Sequence, residues 1–245
     1  MQENSPELEL HAGQVVWLSR EIMGWSADST ERGQGDPHWE RHYEPWKHAN
    51  ASLGEAASEQ DRASAILQLK RSLEFREKAL NSVYGFDKMH GIGKKGIPAS
   101  LEMFNIVLPI MRKVLTDVRN GVTHDFSKQP PDLYRCRELA EFTWYFLKST
   151  DHLLSNSIQA LEFDDYQNRA GGVRFDIKPN TWKMKLAGAV TRNLFSLVET
   201  PDSFRVVFGR QVSVWKGSVS FKDAAVTAGG DLMRDFLKIY FSMIY

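Results

Sequence analysis

The chain has 245 residues, enough for one large domain or two small ones, with the composition of an ordinary globular protein that has a core to bury. Formal net charge is zero but unevenly spread: residues 1–62 hold twelve acids and five bases, and residues 168–222 hold ten bases and three acids. The single cysteine, Cys136, excludes an internal disulfide framework and a thiolate zinc site.

The split charge points to a polyanion partner, or to one end of the chain covering the other; two solvated faces would look the same. Residues 1–10 are acidic and lack the apolar stretch of a secretory signal, and no apolar run reaches membrane-spanning length. The expectation is a cytoplasmic protein with no membrane partner.

In chain order, residues 7–25 read as a first helix, with Leu8, Val15, Leu18, Ile22 and Trp25 largely on one face, although Gly13 weakens the pattern. Residues 26–58 contain Gly33, Gly35, Pro37, Pro45 and Gly54 and read as a long loop, with a short helical turn around Trp39–Trp46. His38 and His42 in it are spaced for one helical face and a metal, but no third ligand is placed, and a surface or docking role for His38, Trp39, Tyr43 and Trp46 is preferred. Residues 59–84 predict a helix through Ile66, Leu69, Leu73, Leu80, Val83 and Tyr84. Arg76 and Glu77 interrupt that stripe; either they pair within the helix or one faces a polar site, and Glu77 is taken as the site-facing group. The Gly- and Lys-rich connection 85–98 lacks P-loop spacing; Lys94 and Lys95 can make an auxiliary RNA contact there, or the segment is simply a loop.

A third helix is expected over 100–119, capped by Ser100, kinked at Pro109 and ended near Gly121. Pro130-Pro131 introduces a fourth, over about 131–158, along Leu133, Cys136, Leu139, Phe146, Leu147, Leu153 and Leu154. Beyond Gly171-Gly172, Val173, Phe175 and Ile177 alternate as a strand does. Residues 181–198 fit either element, with helix preferred. Short strands follow around 204–208, 212–214 and 219–221, then a helix over 231–245. Trp182 and Trp215 are candidate exposed aromatics. The expected fold is mainly α: an N-terminal helix and acidic loop arm (1–58), an antiparallel helical bundle (59–167) and a small basic α+β unit (168–245). In the basic unit Arg174, Lys183 and Lys185 are candidate RNA-binding residues.

Between the third and fourth expected helices stands Arg119-Asn120-Gly121-Val122-Thr123-His124. Arginine is a permanent cation whose planar fork matches a phosphate, and histidine can move a proton near neutral pH. Together they can hold a phosphodiester and shift its protons without a metal. On this Arg-Asn-x-x-x-His stretch, set between two amphipathic helices and preceded by a helix with an off-pattern acid, the chain resembles the HEPN superfamily over roughly 59–158. Those domains are helical bundles with an R-x(4–6)-H motif and are often metal-independent ribonucleases.

The resemblance implies that His124 is the general base or acid for attack by the ribose 2′-hydroxyl, that Arg119 stabilises the phosphorane, and that Asn120 orients one or the other. It implies a homodimer with a composite site, single-stranded RNA as substrate, a 2′,3′-cyclic phosphate product, no cofactor or metal, and a defence or toxin-type role with an antitoxin or other protein as a further partner. Two rivals stand beside it: a non-catalytic interaction module in such an assembly, and a nucleotide-binding regulator using Arg119, Lys94 and Lys95.

Overall fold

A computed structural model describes residues 8–33, 35–89, 96–111, 113, 114, 117, 130–165, 172–215, 217–227 and 229–244. The chain divides into two compact units that do not follow the expected boundaries at 58 and 167. One joins Met1–Gly33 to Ile158–Ile244, and the other runs over Gln34–Ser157.

The first unit corrects the mainly-α expectation, because it is built on a ten-stranded sheet. Its strands are β1 (Leu8–Leu10), β2 (Val15–Ser19), β3 (Ser26–Gly33), β4 (Ser157–Asp164), β5 (Gly172–Lys178), β6 (Lys183–Thr191), β7 (Phe195–Ser196), β8 (Ser203–Val207), β9 (Val212–Trp215) and β10 (Ser218–Thr227). Their order is β3-β4-β5-β6-β10-β8-β2-β7, with β9 pairing both β10 and β1. Wherever register is defined the pairing is antiparallel. Alternation places Val173, Phe175, Ile177, Met184, Leu186, Phe204 and Val206 inside, and their neighbours outside. A helix over Gly230–Ser242 buries Leu232, Met233, Phe236, Leu237, Tyr240 and Phe241. Its Phe236 ring meets Phe175 at 4.7 Å and Phe163 at 5.8 Å between centroids.

Two segments of this unit depart from the expected helices for identifiable reasons. In residues 7–25 the pair Val15-Val16 favours a pleated strand, Gly13 turns the chain at φ 81°, and only the stretch Arg20–Gly24 coils, as a 3-10 helix. Residues 26–33, expected as loop, form β3. In residues 181–198 the chain leaves the short turn Pro179–Thr181 through Trp182 at φ 56° and then runs as β6, so Thr181 caps no helix. Gly188 allows that strand its bend: φ is 117° and an added Cβ would strike the Gly172 carbonyl on β5.

The second unit is helical. A 3-10 turn over Trp39–His42 leads into α1 (Tyr43–Ser52). The next helix, α2 (Glu59–Tyr84), coincides with the expected bounds. Ser58 and Asp61 close its start as a capping box, and Gly85 ends it in the left-handed region at φ 65°. The expected third helix is broken. α3 spans Ile97–Met103, the chain turns at Phe104–Leu108 with Asn105 at φ 57°, and a new helical segment starts at Pro109. Proline there opens a helix instead of kinking one, and Ser100 lies inside α3 instead of capping it. Helix α4 (Leu133–Ser155) is capped by Asp132, whose side chain accepts from the Arg135 amide at 2.8 Å.

The packing direction is a second correction. Along α2 and α4 the facing groups rise together: Arg62 acts on Cys136, Arg76 binds Asp151, and the Tyr84 hydroxyl donates to the Leu153 carbonyl. These two helices therefore run in the same direction. Helix α1 runs opposite to α4: Tyr43 binds Asp151, while Arg137 Nε donates to the Leu53 carbonyl.

Candidate functional site

Arg119, Asn120 and His124 lie outside the described residues, as do Lys94 and Lys95. What is described of the helical unit is the polar interior at the middle of α2.

Glu77, expected to face a site, is buried, but its neighbour Arg76 organises the interior. Arg76 is fully buried on α2, four residues before Leu80 and three after Leu73, and so stands on the apolar stripe. Its Nη2 donates to Asp151 Oδ1 at 2.9 Å. The Tyr43 hydroxyl donates to the other oxygen of Asp151 at 2.8 Å, and Lys148 Nζ lies 3.6 Å from it. The guanidinium also lies over Tyr43 and Trp39, 5.6 and 5.9 Å from the ring centroids. Burial lowers the Arg76 pKa from its ordinary value, and the Asp151 charge opposes that shift. Arg76 Nε and Nη1 are buried with no hydrogen-bond partner among the described residues. The Tyr43 phenol is pushed up, first by burial and then by its bond to Asp151.

His42 joins this interior to a groove. Its backbone carbonyl accepts from Ser72 Oγ at 2.6 Å, and Nε2 is 3.5 Å from Asp36 Oδ2. Burial and the nearby Arg76 charge lower its pKa to about 4, against the opposing pull of Asp36 and Asp151, so His42 is neutral at pH 7. The groove has a volume of about 520 Å³ and is lined by Asp36, His38, Arg41, His42, Phe75 and Lys78, among others. Its floor is tight where Gly35 passes α4: an added Cβ there would meet the Leu154 carbonyl, beside the Asp36 amide that donates to the same oxygen at 2.8 Å. Arg41 and Lys78 are exposed and pair with no acid among the described residues. His38 and His42 both line this groove, and among the described residues no group of three His, Cys, Asp or Glu side chains comes together as metal ligands do.

On the sheet unit, two of the three expected RNA contacts are already occupied. Arg174 Nε donates to Asp176 at 2.8 Å and its Nη1 to Glu162 at 3.4 Å, while Lys185 lies 3.4 Å from Asp223. Lys183 is exposed and has no acid partner among the described residues. Trp182 is half-buried in its left-handed turn, and the side chain of Trp215 lies outside the described residues.

At the break in the α2 stripe both Arg76 and Glu77 are buried, and Arg76 is the one whose contacts with α4 are described. The signal was spacing: Arg76 continues the three-and-four steps, and Asp151 follows Leu147 by four on α4. Compared with known proteins, the chain matches no family model, no curated protein and no solved structure.

Proposed function

We propose that this chain is a metal-independent endoribonuclease that cleaves single-stranded RNA by 2′-hydroxyl attack. The observation that carries the reading is chain order. Arg119-Asn120-x-x-x-His124 follows helical residues that reach Asp117 and precedes α4 at Leu133, in the manner of the HEPN superfamily that the motif resembles. In this mechanism His124 takes the proton of the ribose 2′-hydroxyl as its oxygen attacks the adjacent phosphorus. The P–O5′ bond breaks, the leaving 5′-oxygen gains a proton from a second His124 across a two-fold dimer, and a 2′,3′-cyclic phosphate remains. Arg119 supplies fixed positive charge where the phosphorane gathers negative charge, an effect on the order of 3–4 kcal/mol for one well-placed donor. Asn120 orients His124 or the phosphate. The biological setting is a defence or toxin-type role, with an antitoxin as the silencing partner.

The test is cleavage of a labelled single-stranded RNA in EDTA. The expected result is a cyclic phosphate end, no cutting where the sugar at the cut site is 2′-deoxy, and loss of activity in His124→Ala and Arg119→Ala with the helical signal retained. Equal cutting of the 2′-deoxy substrate would overturn the mechanism.

One observation favours a second reading, a non-catalytic nucleotide-binding module. The groove beside α2 sets two cations, Arg41 and Lys78, that pair with no acid among the described residues, next to the exposed ring of Phe75 and the neutral His42. That combination suits a phosphate and a flat base. Calorimetric titration with nucleoside triphosphates, giving binding that Lys78→Gln weakens and no RNA turnover, would favour it over the first.

A further inference from the structure

The outer face of the sheet carries a feature that neither Arg119 nor His124 explains. Strand register lines up one side chain from each of five adjacent strands. Lys178 on β5 stands opposite Lys183 on β6, and Lys183 stands opposite Thr227 on β10. Arg205 on β8 donates to Thr227 Oγ1 at 3.2 Å and stands opposite Trp17 on β2. All five point to the same side as their strands alternate: Lys178, Lys183, Arg205 and Thr227 are exposed and Trp17 is half-exposed, while Ile177, Met184, Phe204, Val226 and Val16 are buried.

Charge on this face is not randomly mixed. Three acids of this face are held by other bases: Asp176 and Glu162 by Arg174, and Asp223 by Lys185. Lys178, Lys183 and Arg205 are left with no acid partner among the described residues. Two lysines directly opposite each other weaken a strand pair unless an anion comes between them. Adjacent strands are about 4.8 Å apart, so the row from Lys178 to Trp17 is about 19 Å long. That matches a footprint of about four nucleotides, the short end of single-strand sites on small β folds. The order of groups is also meaningful: cations along most of the row serve phosphates, and an aromatic face at its end can stack a base, which only an unpaired strand offers.

We propose that the row Lys178–Lys183–Thr227–Arg205–Trp17 is a binding track for single-stranded RNA. It is a track for holding RNA and does not depend on cleavage at His124. Phosphates follow Lys178, Lys183 and Arg205, the Thr227 hydroxyl adds a hydrogen bond, and a base lies against Trp17. Arg174 and Lys185 contribute little, because each is already engaged.

The experiment is fluorescence anisotropy with the full chain and a labelled 2′-O-methyl oligouridylate of about twelve nucleotides, which cannot be cut by 2′-hydroxyl attack, so loss of binding is read apart from loss of catalysis. Salt is varied between about 50 and 200 mM. The triple variant Lys178→Gln/Lys183→Gln/Arg205→Gln should weaken binding more than about tenfold and reduce the log–log salt slope by about two, since each lost phosphate contact releases fewer counterions. Trp17→Leu should weaken binding several-fold with the slope unchanged. Lys178→Arg/Lys183→Arg should restore it, and Lys185→Gln should bind as the parent does. Because these are exposed positions, circular dichroism of each variant confirms an intact sheet. An unchanged slope in the triple variant overturns the proposal. So does equal affinity for duplex RNA, or displacement by polyglutamate at equal charge, which would mark the face as a site for an acidic protein.

Discussion

Arg76 in the helical unit and Arg174 in the sheet unit each meet a carboxylate at hydrogen-bond distance, yet one is fully buried and the other stands on an open sheet face. The difference follows from the geometry of the two units. A helix stripe must place whatever residue falls every three or four positions into the interior, so a charged residue on the stripe has to bring its counter-ion inside. A strand sends alternate residues outward, so the sheet unit keeps an aromatic interior around Phe163, Phe175 and Phe236 and arranges its charges across strands in water. The same arginine–carboxylate contact is thus a structural necessity in one unit and nearly free to change in the other.

Breaking the buried contact should have the largest effect. Arg76→Ala leaves Asp151 without its principal counter-ion and should cost about 3–5 kcal/mol in urea unfolding. Arg76→Met combined with Asp151→Leu should cost much less than Arg76→Ala, because no charge is stranded. Equal losses in the two variants would show that packing, not charge, makes Arg76 indispensable. The counterpart in the sheet unit is apolar: Phe236→Ala should cost about 3–5 kcal/mol through the cavity among the three rings. Hydrogen exchange should localise that loosening to peptides of β4, β5 and the C-terminal helix. Equal loosening throughout residues 34–157 would contradict the division into units.

A smaller effect should appear with pH. His42 has a folded pKa of about 4 against 6.5 for the free side chain, so the unfolded chain binds more protons between those values. Its contribution is fully present above about pH 6.5, falls as pH drops through that window, and levels off below about 4, a change of up to about 3 kcal/mol. His42→Gln should flatten the pH dependence of stability between 4 and 6.5; the same slope in parent and variant would remove His42 as its source. The smallest effect belongs to Arg174→Gln, which should change stability by less than about 1 kcal/mol, since Arg174 and its partners are substantially exposed. A larger loss would mean that the surface network is as structural as the buried one.

Legibility in the sequence followed the range of the interactions. Helix α2 could be bounded because its stripe, its start and its terminating Gly85 are all local. The strand character of Val173–Ile177 was visible for the same reason. The helix expected over residues 7–25 fails because β2 finds its partner far along the chain: Val16 pairs with Val206. Before that pairing is known, Val15, Leu18, Ile22 and Trp25 suit a helix as well as a strand. Residues 181–198 failed through a bend at Gly188 that disturbs simple alternation. Of the candidate sites, Lys183 stands out by charge alone, whereas its alignment with Lys178, Thr227 and Arg205 comes from strand register, which is a tertiary property. Lys185 looks equivalent to Lys183 in sequence because its acidic partner, Asp223, is 38 residues away on β10, whereas Arg174 has Asp176 two residues along its own strand as well as Glu162 on β4.

The insertion of residues 34–157 between β3 and β4 also sets an order of events during synthesis. Gly33 and Gln159 stand side by side in the sheet, so closely that a Cβ on the glycine would strike the glutamine side chain. The ribosome nevertheless makes the whole helical unit between them. Helices with near neighbours in sequence can pack as soon as they emerge, whereas β1, β2 and β3 must wait for strands that arrive last. A waiting strand edge invites wrong partners, and charge is the usual safeguard. Glu9 on β1 and Asp28 on β3 put charge on these early strands, of the kind that discourages edge-to-edge pairing.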